Sequence, residues 1–535
     1  MIEIKLTRCP KCNKLYNSKP VISRVDNCTL ICRDCGMREA LEFIGVALGV
    51  AFVSCDLNME PISDQSEINL GTSTNDTTRI KFKDRAAMMA MYEDLYNIMN
   101  VRQEHWYLDY LLFGEARTDN AYAGTTGAEV VPVETNALDA SNPDIARDWD
   151  RYLEDIAKAN VVITNIDLVP DPTFSQAERD QWKAEAKIFR GMMLFDLAHW
   201  FGNIPLNLTE APDITADNIE EVYPIYFPMP VTQDSAYKQV IKDLTEAIPY
   251  APALDPNDKR VLSKTVAYAL LAKLYAELGE WDKVIEYSDM VFADGIALAD
   301  NYADLWKYDE TSRESMRNNK ETILEAQYTA EGNWVTWMFG RNLSNWEESF
   351  TWAKWITPSR DLIRTFEKEG DTVRCNQTIV YYECAWSNYY PADNYPFMYK
   401  CRSAFNSIIK LRGADIWLLK AEALAHKGDL SSAVSLVNTI RKRAKLADLP
   451  ASAMGSQEAV LDAILHERRL ELALEGQRLF DLIRFGKLME VMNGINLRDE
   501  GRLPQARPFV EAHKLMPIPQ TALDKNSNLV QNDGY

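Results

Sequence analysis

Two stretches of the chain share one pattern, in which a glycine separates two apolar segments of helix length. The first stretch follows Ser263 and reads KTVAYALLAKLYAELGEWDKVIEYSDMVF, and the second reads IIKLRGADIWLLKAEALAHKGDLSSAVSLVNTIRKRA. Gly279 and Gly428 occupy the same place in the two stretches, and glycine readily ends a helix in a left-handed conformation. The pattern therefore predicts pairs of antiparallel helices joined by short turns.

Helical spacing of apolar residues continues through most of the chain after residue 83. In TQDSAYKQVIKDLTEAI the apolar residues recur at helical intervals behind Thr232, a suitable capping residue. Further helices are predicted at 83–100, 147–167, 177–202 and 456–486. The expected fold class is mostly α, with at least two and as many as four tetratricopeptide-like helix pairs forming a superhelical scaffold.

Residues 296–408 depart from this helical spacing. The segment is rich in aromatic residues and is broken by proline and asparagine, as in NYYPADNYP at 388–396. It is predicted to be a large, irregular, loop-rich insertion on the helical frame. Long loops within a compact fold usually carry function.

The first 36 residues carry two C-x-x-C pairs, Cys9 with Cys12 and Cys32 with Cys35. This spacing is typical of a four-thiolate zinc site, because each short turn presents two sulfurs to one tetrahedral ion. The alternative is two pairs of redox-active or free thiols. Residues 1–45 are thus interpreted as a zinc-ribbon-like segment, and zinc is the one cofactor that the chain suggests.

An apolar run at 43–54 precedes Cys55. Twelve residues are too few to cross a bilayer core, which needs about 20, but they match the apolar part of an export signal. Phe52-Val53-Ser54-Cys55 resembles a bacterial lipobox, so Cys55 is the predicted site of lipid attachment. The cationic start of such a signal is missing, and the hypothesis is that 1–45 is foreign to the rest; the alternative is a short buried helix in a cytosolic fusion.

The charge balance limits the partners of the main body, which is taken as one domain at 56–535. The 535 residues carry a formal net charge of −21. A chain of this charge repels polyanions, which disfavours nucleic acid as a partner.

Five stretches, in order, resemble the SusD/RagB family of outer-membrane nutrient-binding lipoproteins. They read AEAKIFRGMMLFDLAHWFGNIPL, TPSRDLIRTFE, LRGADIWLLKAEALAHKGD, HERRLELALEGQRLFDLIRFGK and LMPIPQTALDKNSNLVQNDGY. The resemblance spans about 55–535 and implies a surface-exposed protein, anchored through a lipidated cysteine, that needs no cofactor. It further implies that the protein captures an oligosaccharide and hands it to a SusC-like TonB-dependent transporter. The alternatives are a tetratricopeptide-type scaffold that binds proteins or peptides and, from the first 36 residues alone, a zinc-dependent cytosolic regulator.

Three glutamates recur at intervals of four near the C-terminus: Glu467, Glu471 and Glu475. A glycosidase needs two carboxyl groups about 5 to 10 Å apart across a cleft. Glutamates on one helical stripe among Arg468, Arg469 and Arg478 are better explained as an ion-pair network, with Glu475 and Arg478 paired on the helix surface. No catalytic residue is predicted. Gly476 is expected to mark a close approach of helices.

The candidate ligand contacts are aromatic residues of the insertion. A flat ring covers the C–H face of a sugar, while polar groups bind its hydroxyls. The predicted glycan-binding residues are Trp334, Trp337, Trp346, Trp386 and Tyr389, whereas Trp352 and Trp355 are expected in the core. The alternative is that the tryptophans only pin the loop in place. Asp119 and Asn120, after the first helix, form a second candidate group.

Three late cysteines, Cys375, Cys384 and Cys401, permit at most one internal bridge. In CNQTIVYYEC a disulfide between Cys375 and Cys384 could close a strand hairpin, which an oxidising location would allow. The alternative is three unpaired thiols. Nothing in the sequence specifies which glycan is bound.

Overall fold

The computed structural model describes residues 80–535 with short gaps, and four two-residue strands before residue 32. The gaps are 125–126, 213, 215–217, 310–313, 329–331, 333, 336–354 and 385–388. The chain forms two compact units, Met1–Arg79 and Ile80–Tyr535.

The first unit contains two antiparallel strand pairs. Strand β1 (Thr7–Arg8) pairs with β2 (Leu15–Tyr16). Strand β3 (Val21–Ile22) pairs with β4 (Leu30–Ile31). One C-x-x-C sequence follows β1 and the other follows β4, although the four cysteines lie outside the described residues.

The second unit is mostly helical, as the apolar spacing predicted. Its α-helices are, in chain order, α1 (Arg85–Val101), α2 (Asp109–Leu111), α3 (Val131–Glu134), α4 (Pro143–Asn165), α5 (Gln176–Phe201), α6 (Ile219–Tyr226), α7 (Gln233–Ala247), α8 (Lys264–Glu277), α9 (Trp281–Ala293), α10 (Arg360–Glu369), α11 (Thr372–Thr378), α12 (Gly413–His426), α13 (Leu430–Arg443), α14 (Gln457–Glu471), α15 (Arg478–Arg484), α16 (Leu488–Asn493), α17 (Ile495–Arg498) and α18 (Gln520–Lys525). Two π-helical turns, Glu104–Leu108 and Leu112–Ala116, flank α2.

Short strands connect these helices in antiparallel pairs. They are β5 (Ala121–Tyr122) with β11 (Thr357–Pro358), β6 (Ile204–Pro205) with β7 (Pro230–Val231), β8 (Tyr308–Asp309) with β9 (Glu314–Ser315), β10 (Thr322–Ala326) with β14 (Ile408–Arg412), and β12 (Ile379–Tyr382) with β13 (Tyr395–Met398). Because β10 pairs with β14, the chain segment 327–407 begins and ends at this strand pair.

The helix pairs form where the glycine pattern predicted them. Helix α8 leads into α9 and α12 into α13, and each pair packs together. Gly279 and Gly428 follow the first helix of each pair with φ angles of +71° and +85°. Thr232 caps α7 as expected, since its hydroxyl accepts a hydrogen bond from the N–H of Ser235. Ser263 caps α8 by position, but its side chain makes no capping bond.

Helix α5 lies at the centre of the apolar core. Most of its residues are buried, and it packs against both α4 and α7. An amphipathic surface helix has one apolar stripe, whereas a helix covered on several sides is apolar around most of its circumference. The run IFRGMMLFDLAHWF at 188–201 meets this description.

The single helix predicted at 456–486 is wrong in one respect, because the chain leaves the helix after Glu471. Leu474 and Gly476 have φ angles of +60° and +79°, and α15 then begins at Arg478. Gly476 packs directly on Gly114, as shown by a Cβ built on Gly114, which would lie 2.3 Å from the Gly476 carbonyl oxygen. The predicted close approach at Gly476 is confirmed. It forms in the segment where the chain has left the helix after Glu471.

The hairpin that a disulfide between Cys375 and Cys384 could have closed does not form. Cys375 lies in α11, and strand β12 pairs with β13 instead of folding back on the residues before it. Cys375, Cys384 and Cys401 form no disulfide with one another.

Among the residues that the structure describes, no helix combines the length and the apolar character needed to cross a membrane.

Candidate ligand-binding site

A pocket of about 290 Å³ lies between helix α1, the turn at 258–261 and strand β10. Helix α1 contributes Tyr92, Glu93, Tyr96 and Asn100 to its lining. The volume is near the lower end of the range for small-molecule sites, ~300 to 1,000 Å³. The pocket therefore suits one or two sugar-sized groups.

The two tyrosines on the α1 side are held in fixed positions. Both hydroxyls donate to one oxygen of Glu185, with an O···O distance of 2.7 Å for Tyr92. The ring of Tyr92 stacks on Trp182 with centroids 4.6 Å apart. Burial raises the pKa of the Glu185 carboxyl. Tyr92 and Tyr96 are four residues apart on a helix, which places both rings on one face.

The opposite side of the pocket carries charged groups that already have partners. The Nε and Nη2 atoms of Arg260 donate to the two oxygens of Asp258 at 2.7 and 2.6 Å. In Glu325, Oε1 accepts hydrogen bonds from the backbone N–H of Asn318 and from Gln327. Burial raises the pKa of Glu325. The lining is thus rich in hydrogen-bond acceptors.

Trp334 is 46% exposed, and its backbone is linked to the pocket wall through Gln103. Its backbone N–H donates to Oε1 of Gln103 at 3.0 Å. The Gln103 amide donates in turn to the carbonyls of Gly332 and Asn100. Asn100 lines the pocket, so one side chain ties the loop that bears Trp334 to the pocket wall.

A second exposed aromatic pair is formed by Tyr381 and Tyr382 of β12, which are 42% and 38% exposed. They pair with Pro396 and Tyr395 of β13. Because neighbouring residues of a strand point to opposite faces, the two rings lie on different sides of this small sheet.

Tyr389 is buried, unlike the ring platform that was expected. Its ring stacks on Tyr122 with centroids 4.6 Å apart, and its hydroxyl donates to Glu134 at 2.7 Å. Tyr390, next to it, lies against the guanidinium of Arg360. Ligand contact by Tyr389 stays a prediction that this packing does not favour.

Asp119 and Asn120 are buried as well. Arg478 donates to both oxygens of Asp119 at 2.8 and 3.0 Å, and Arg469 donates to Oδ1 of Asn120 at 2.9 Å. Burial alone would raise the pKa of Asp119, but Arg469 and Arg478 hold it well below its usual range. The carboxylate fastens the loop after α2 to α14 and α15. Contact of Asp119 and Asn120 with a sugar stays a prediction.

Several predicted residues lie outside the described part of the chain. They are Trp337, Trp346, Trp352 and Trp386, the lipid-attachment candidate Cys55, and the zinc-ligand candidates Cys9, Cys12, Cys32 and Cys35. Trp355 is buried in the main core, as expected.

The three C-terminal glutamates form the ion-pair network that their spacing suggested, with different partners. Glu467 accepts from Arg374 and Arg441, Glu471 from Arg412 and Arg443, and Glu475 from Arg412 and Lys400. The expected surface pair of Glu475 with Arg478 is absent, because the helix ends before Glu475 and Arg478 turns toward Asp119. Cations from other elements thus occupy all three carboxylates.

Within the described ranges, no group of three or more His, Cys, Asp or Glu side chains is placed to hold a metal ion.

The pocket itself was not predicted from the sequence. Its walls come from three segments that are far apart in the chain. The one local signal was the spacing of Tyr92 and Tyr96, two tyrosines on the same face of the first helix.

Two family models match most of the chain. A model described as "SusD family" matches 294–535. A model described as "Starch-binding associating with outer membrane" matches 71–276.

Full-length relatives and solved structures are similar to the chain as well. SusD-like protein P2 of Formosa agariphila is 25% identical over 528 residues, covering 91% of this chain and 99% of that protein. A SusD superfamily protein from Bacteroides vulgatus has a TM-score of 0.69 at 20% identity, over 85% of this chain and 99% of the other. A laminarin-binding SusD-like protein has a TM-score of 0.67 at 24% identity, over 85% and 100%. At these identities the structural likeness concerns the fold.

Proposed function

Because the chain belongs to the SusD family, we propose that it binds an oligosaccharide at the cell surface and delivers it to a SusC-like TonB-dependent transporter in the outer membrane. Support comes from its relatives, because one matching family model describes starch-binding proteins associating with the outer membrane and one similar structure is a laminarin-binding SusD-like protein. The scaffold of helix pairs carrying a loop-rich insertion agrees with this role.

The observation that carries the proposal is the placement of Trp334. A large aromatic side chain that is 46% exposed on an anchored backbone can be covered by a ligand with little ordering of the main chain at that point. The pocket linked to it through Gln103 supplies acceptors for hydroxyl groups. An aromatic face beside convergent polar groups is what a sugar-binding surface requires.

The protein is proposed to bind its ligand without changing it. Family members are binding proteins, and Glu467, Glu471 and Glu475 are all paired with arginines or a lysine. Lipid attachment at Cys55 is part of the proposal and rests on the lipobox-like sequence. Zinc binding by Cys9, Cys12, Cys32 and Cys35 is a separate proposal, supported by the two strand pairs, since each C-x-x-C sequence directly follows a strand of one pair.

Contact with the transporter is proposed for the surface around α6. Ile219, Tyr223, Tyr226 and Met229 are all exposed, and Met229 is 67% exposed. Clusters of exposed apolar side chains on a soluble domain mark interaction sites. Replacing Tyr223 and Met229 by Ser should reduce co-purification with the co-expressed transporter and leave glycan affinity unchanged. The matched control is the double replacement of Leu497 and Val530, two exposed apolar residues elsewhere, by Ser.

Calorimetric titration of the full chain with a panel of oligosaccharides tests the proposed function. We expect saturable binding of at least one glycan and unchanged glycan on chromatography after overnight incubation. New reducing ends would contradict the non-catalytic role. A panel with no binder, together with tight binding of peptides, would favour a protein-binding scaffold instead.

A further inference from the structure

The pocket between helix α1 and strand β10 is lined by the carboxylates of Glu93, Asp258 and Glu325 and by one guanidinium, that of Arg260, which is paired with Asp258. We propose that this pocket selects a neutral sugar ring and excludes anionic sugars such as uronates and sulfated residues. This inference rests on the proposed function and names the ligand class of the same site.

The hydrogen-bonding character of the lining supports this selection. Glu93, Asp258 and Glu325 line the pocket, and an ionised carboxylate only accepts hydrogen bonds. A neutral sugar offers a hydroxyl donor on most of its ring carbons. A carboxylate or sulfate ester of a ligand offers acceptors only. The anionic group and the pocket carboxylate opposite it would then both lose their hydrating water without gaining a hydrogen bond.

The cations near the pocket do not reverse this preference. Arg260, which lines it, is 56% exposed and donates two hydrogen bonds to Asp258, and with Glu93 and Glu325 also present the formal charge of the lining is negative. Lys259 is 2% exposed, and its charge interacts with Asp255 and Glu325. Arg317 donates to the carbonyl of Tyr328. An anion entering here would compete with existing partners while approaching Glu93, whose side chain is exposed.

The apolar part of the lining fits a sugar ring by shape. Tyr92 and Tyr96 are only partly buried, so ring surface remains for the C–H face of a sugar. Their hydroxyls are engaged by Glu185 and do not compete for ligand hydroxyls. A volume of about 290 Å³ accommodates a short terminal piece of a glycan.

The test uses the full chain and probe pairs that differ only at C6, where a hydroxymethyl group is replaced by a carboxylate. Maltohexaose and laminarihexaose are titrated beside their forms oxidised to uronates at C6, and an alginate oligosaccharide is included as a naturally anionic probe. We expect the neutral form to bind about tenfold or more tightly than its oxidised form. Glu93→Lys should weaken binding of the neutral probe and narrow the ratio of neutral to oxidised affinity. Glu325→Gln should also weaken binding of the neutral probe. Glu500→Lys, an equal charge change at an exposed site elsewhere, should leave the ratio unchanged.

The outcomes separate this inference from the proposed function. Equal or tighter binding of an oxidised or alginate probe overturns the inference while leaving glycan binding in place. If neither Glu93→Lys nor Glu325→Gln alters binding of the neutral probe, the assignment of the glycan to this pocket is overturned. Failure of every neutral and anionic glycan to bind overturns the proposed function as well.

Discussion

Gln103 and Trp334 are 231 residues apart in sequence. The backbone N–H of Trp334 donates a hydrogen bond of 3.0 Å to the side-chain oxygen of Gln103. Gln103 is almost fully buried and Trp334 is half-exposed. A buried residue of the helical frame thus fixes the backbone that carries an exposed aromatic side chain. Preorganisation of this kind lowers the entropy lost when a ligand binds.

Replacing Trp334 by Ala should weaken glycan binding about tenfold, because an aromatic contact contributes ~0.5 to 1.5 kcal/mol beyond its area. Trp334→Phe should retain part of the affinity. Calorimetric titration with the best binder of the oligosaccharide panel measures both. Tyr250→Ala, which removes an equally exposed ring outside the pocket, is the control and should bind normally. Unchanged binding by Trp334→Ala would contradict the role of this residue.

Gln103→Ala should weaken glycan binding although every aromatic residue remains, because the loop that carries Trp334 loses its anchor. The substitution also removes buried hydrogen bonds, so some loss of stability is expected. Gly279→Ala is a suitable control, since a left-handed position with no neighbour within 4 Å should cost comparable stability far from the site. If both variants lose affinity equally, the anchoring role of Gln103 is wrong.

The helical frame was predictable because its signals are local. Apolar spacing indicated the helices, and the glycines that separate the helix pairs adopt the left-handed conformation that the pattern required. The break after Glu471 was not predictable, since residues 472–477 continue the helical spacing of apolar side chains. Contact of Gly476 with Gly114, 362 positions earlier in the chain, decides the conformation there.

The candidate site was predictable only in part. Trp334 was identified because loop aromatics suit sugars, but nothing local distinguishes it from Tyr389, which tertiary packing buries on Tyr122. Asp119 looked like a solvent-exposed loop carboxylate. Its arginine partners come from helices about 350 residues later, so its burial depends on the complete fold.

Arg374→Met should strongly destabilise the protein. The Arg374 guanidinium is fully buried and contacts Asp371, Glu467 and Glu471. Removing one partner of a buried ion pair leaves uncompensated charge and costs about 3 to 5 kcal/mol. Urea unfolding followed by circular dichroism measures this loss. The exposed pair of Lys238 with Asp234 provides the control, and Lys238→Met should change stability little.

The unfolding free energy should contain a contribution from Asp109 that declines as pH rises. Burial raises the pKa of Asp109 to about 7, and Asp144 and Asp148 lie beside it around Arg147. The folded state therefore binds the proton more tightly than the unfolded chain, in which an aspartate titrates near pH ~4. The stabilisation is complete below about pH 4 and is lost as pH rises through about 7.

Asp109→Asn removes this contribution together with the effect of Asp109 on the neighbouring Asp148, because asparagine resembles the protonated acid and cannot titrate. The stability difference, variant minus wild type, should increase between pH 4 and pH 8 in a urea-unfolding series. Glu115 acts in the same direction, because burial raises its pKa to about 7. His513 acts in the opposite direction, because burial lowers its pKa to about 4. Both are present in both proteins and cancel in the difference. A flat difference would show that Asp109 does not titrate in this range.

Gly476→Ala should be among the most damaging single-methyl changes in the protein. A Cβ at this position would lie 2.6 Å from a ring carbon of Tyr110, and the backbone has a φ angle of +79°. The left-handed conformation costs a non-glycine residue about 1 kcal/mol, and overpacking adds roughly 1 to 3 kcal/mol. Gly279→Ala has a similar φ angle, +71°, with open space around it, so it should lose only the conformational part. The difference between the two variants in urea unfolding measures the helix contact, and equal losses would show that Gly476 is required for its backbone conformation alone.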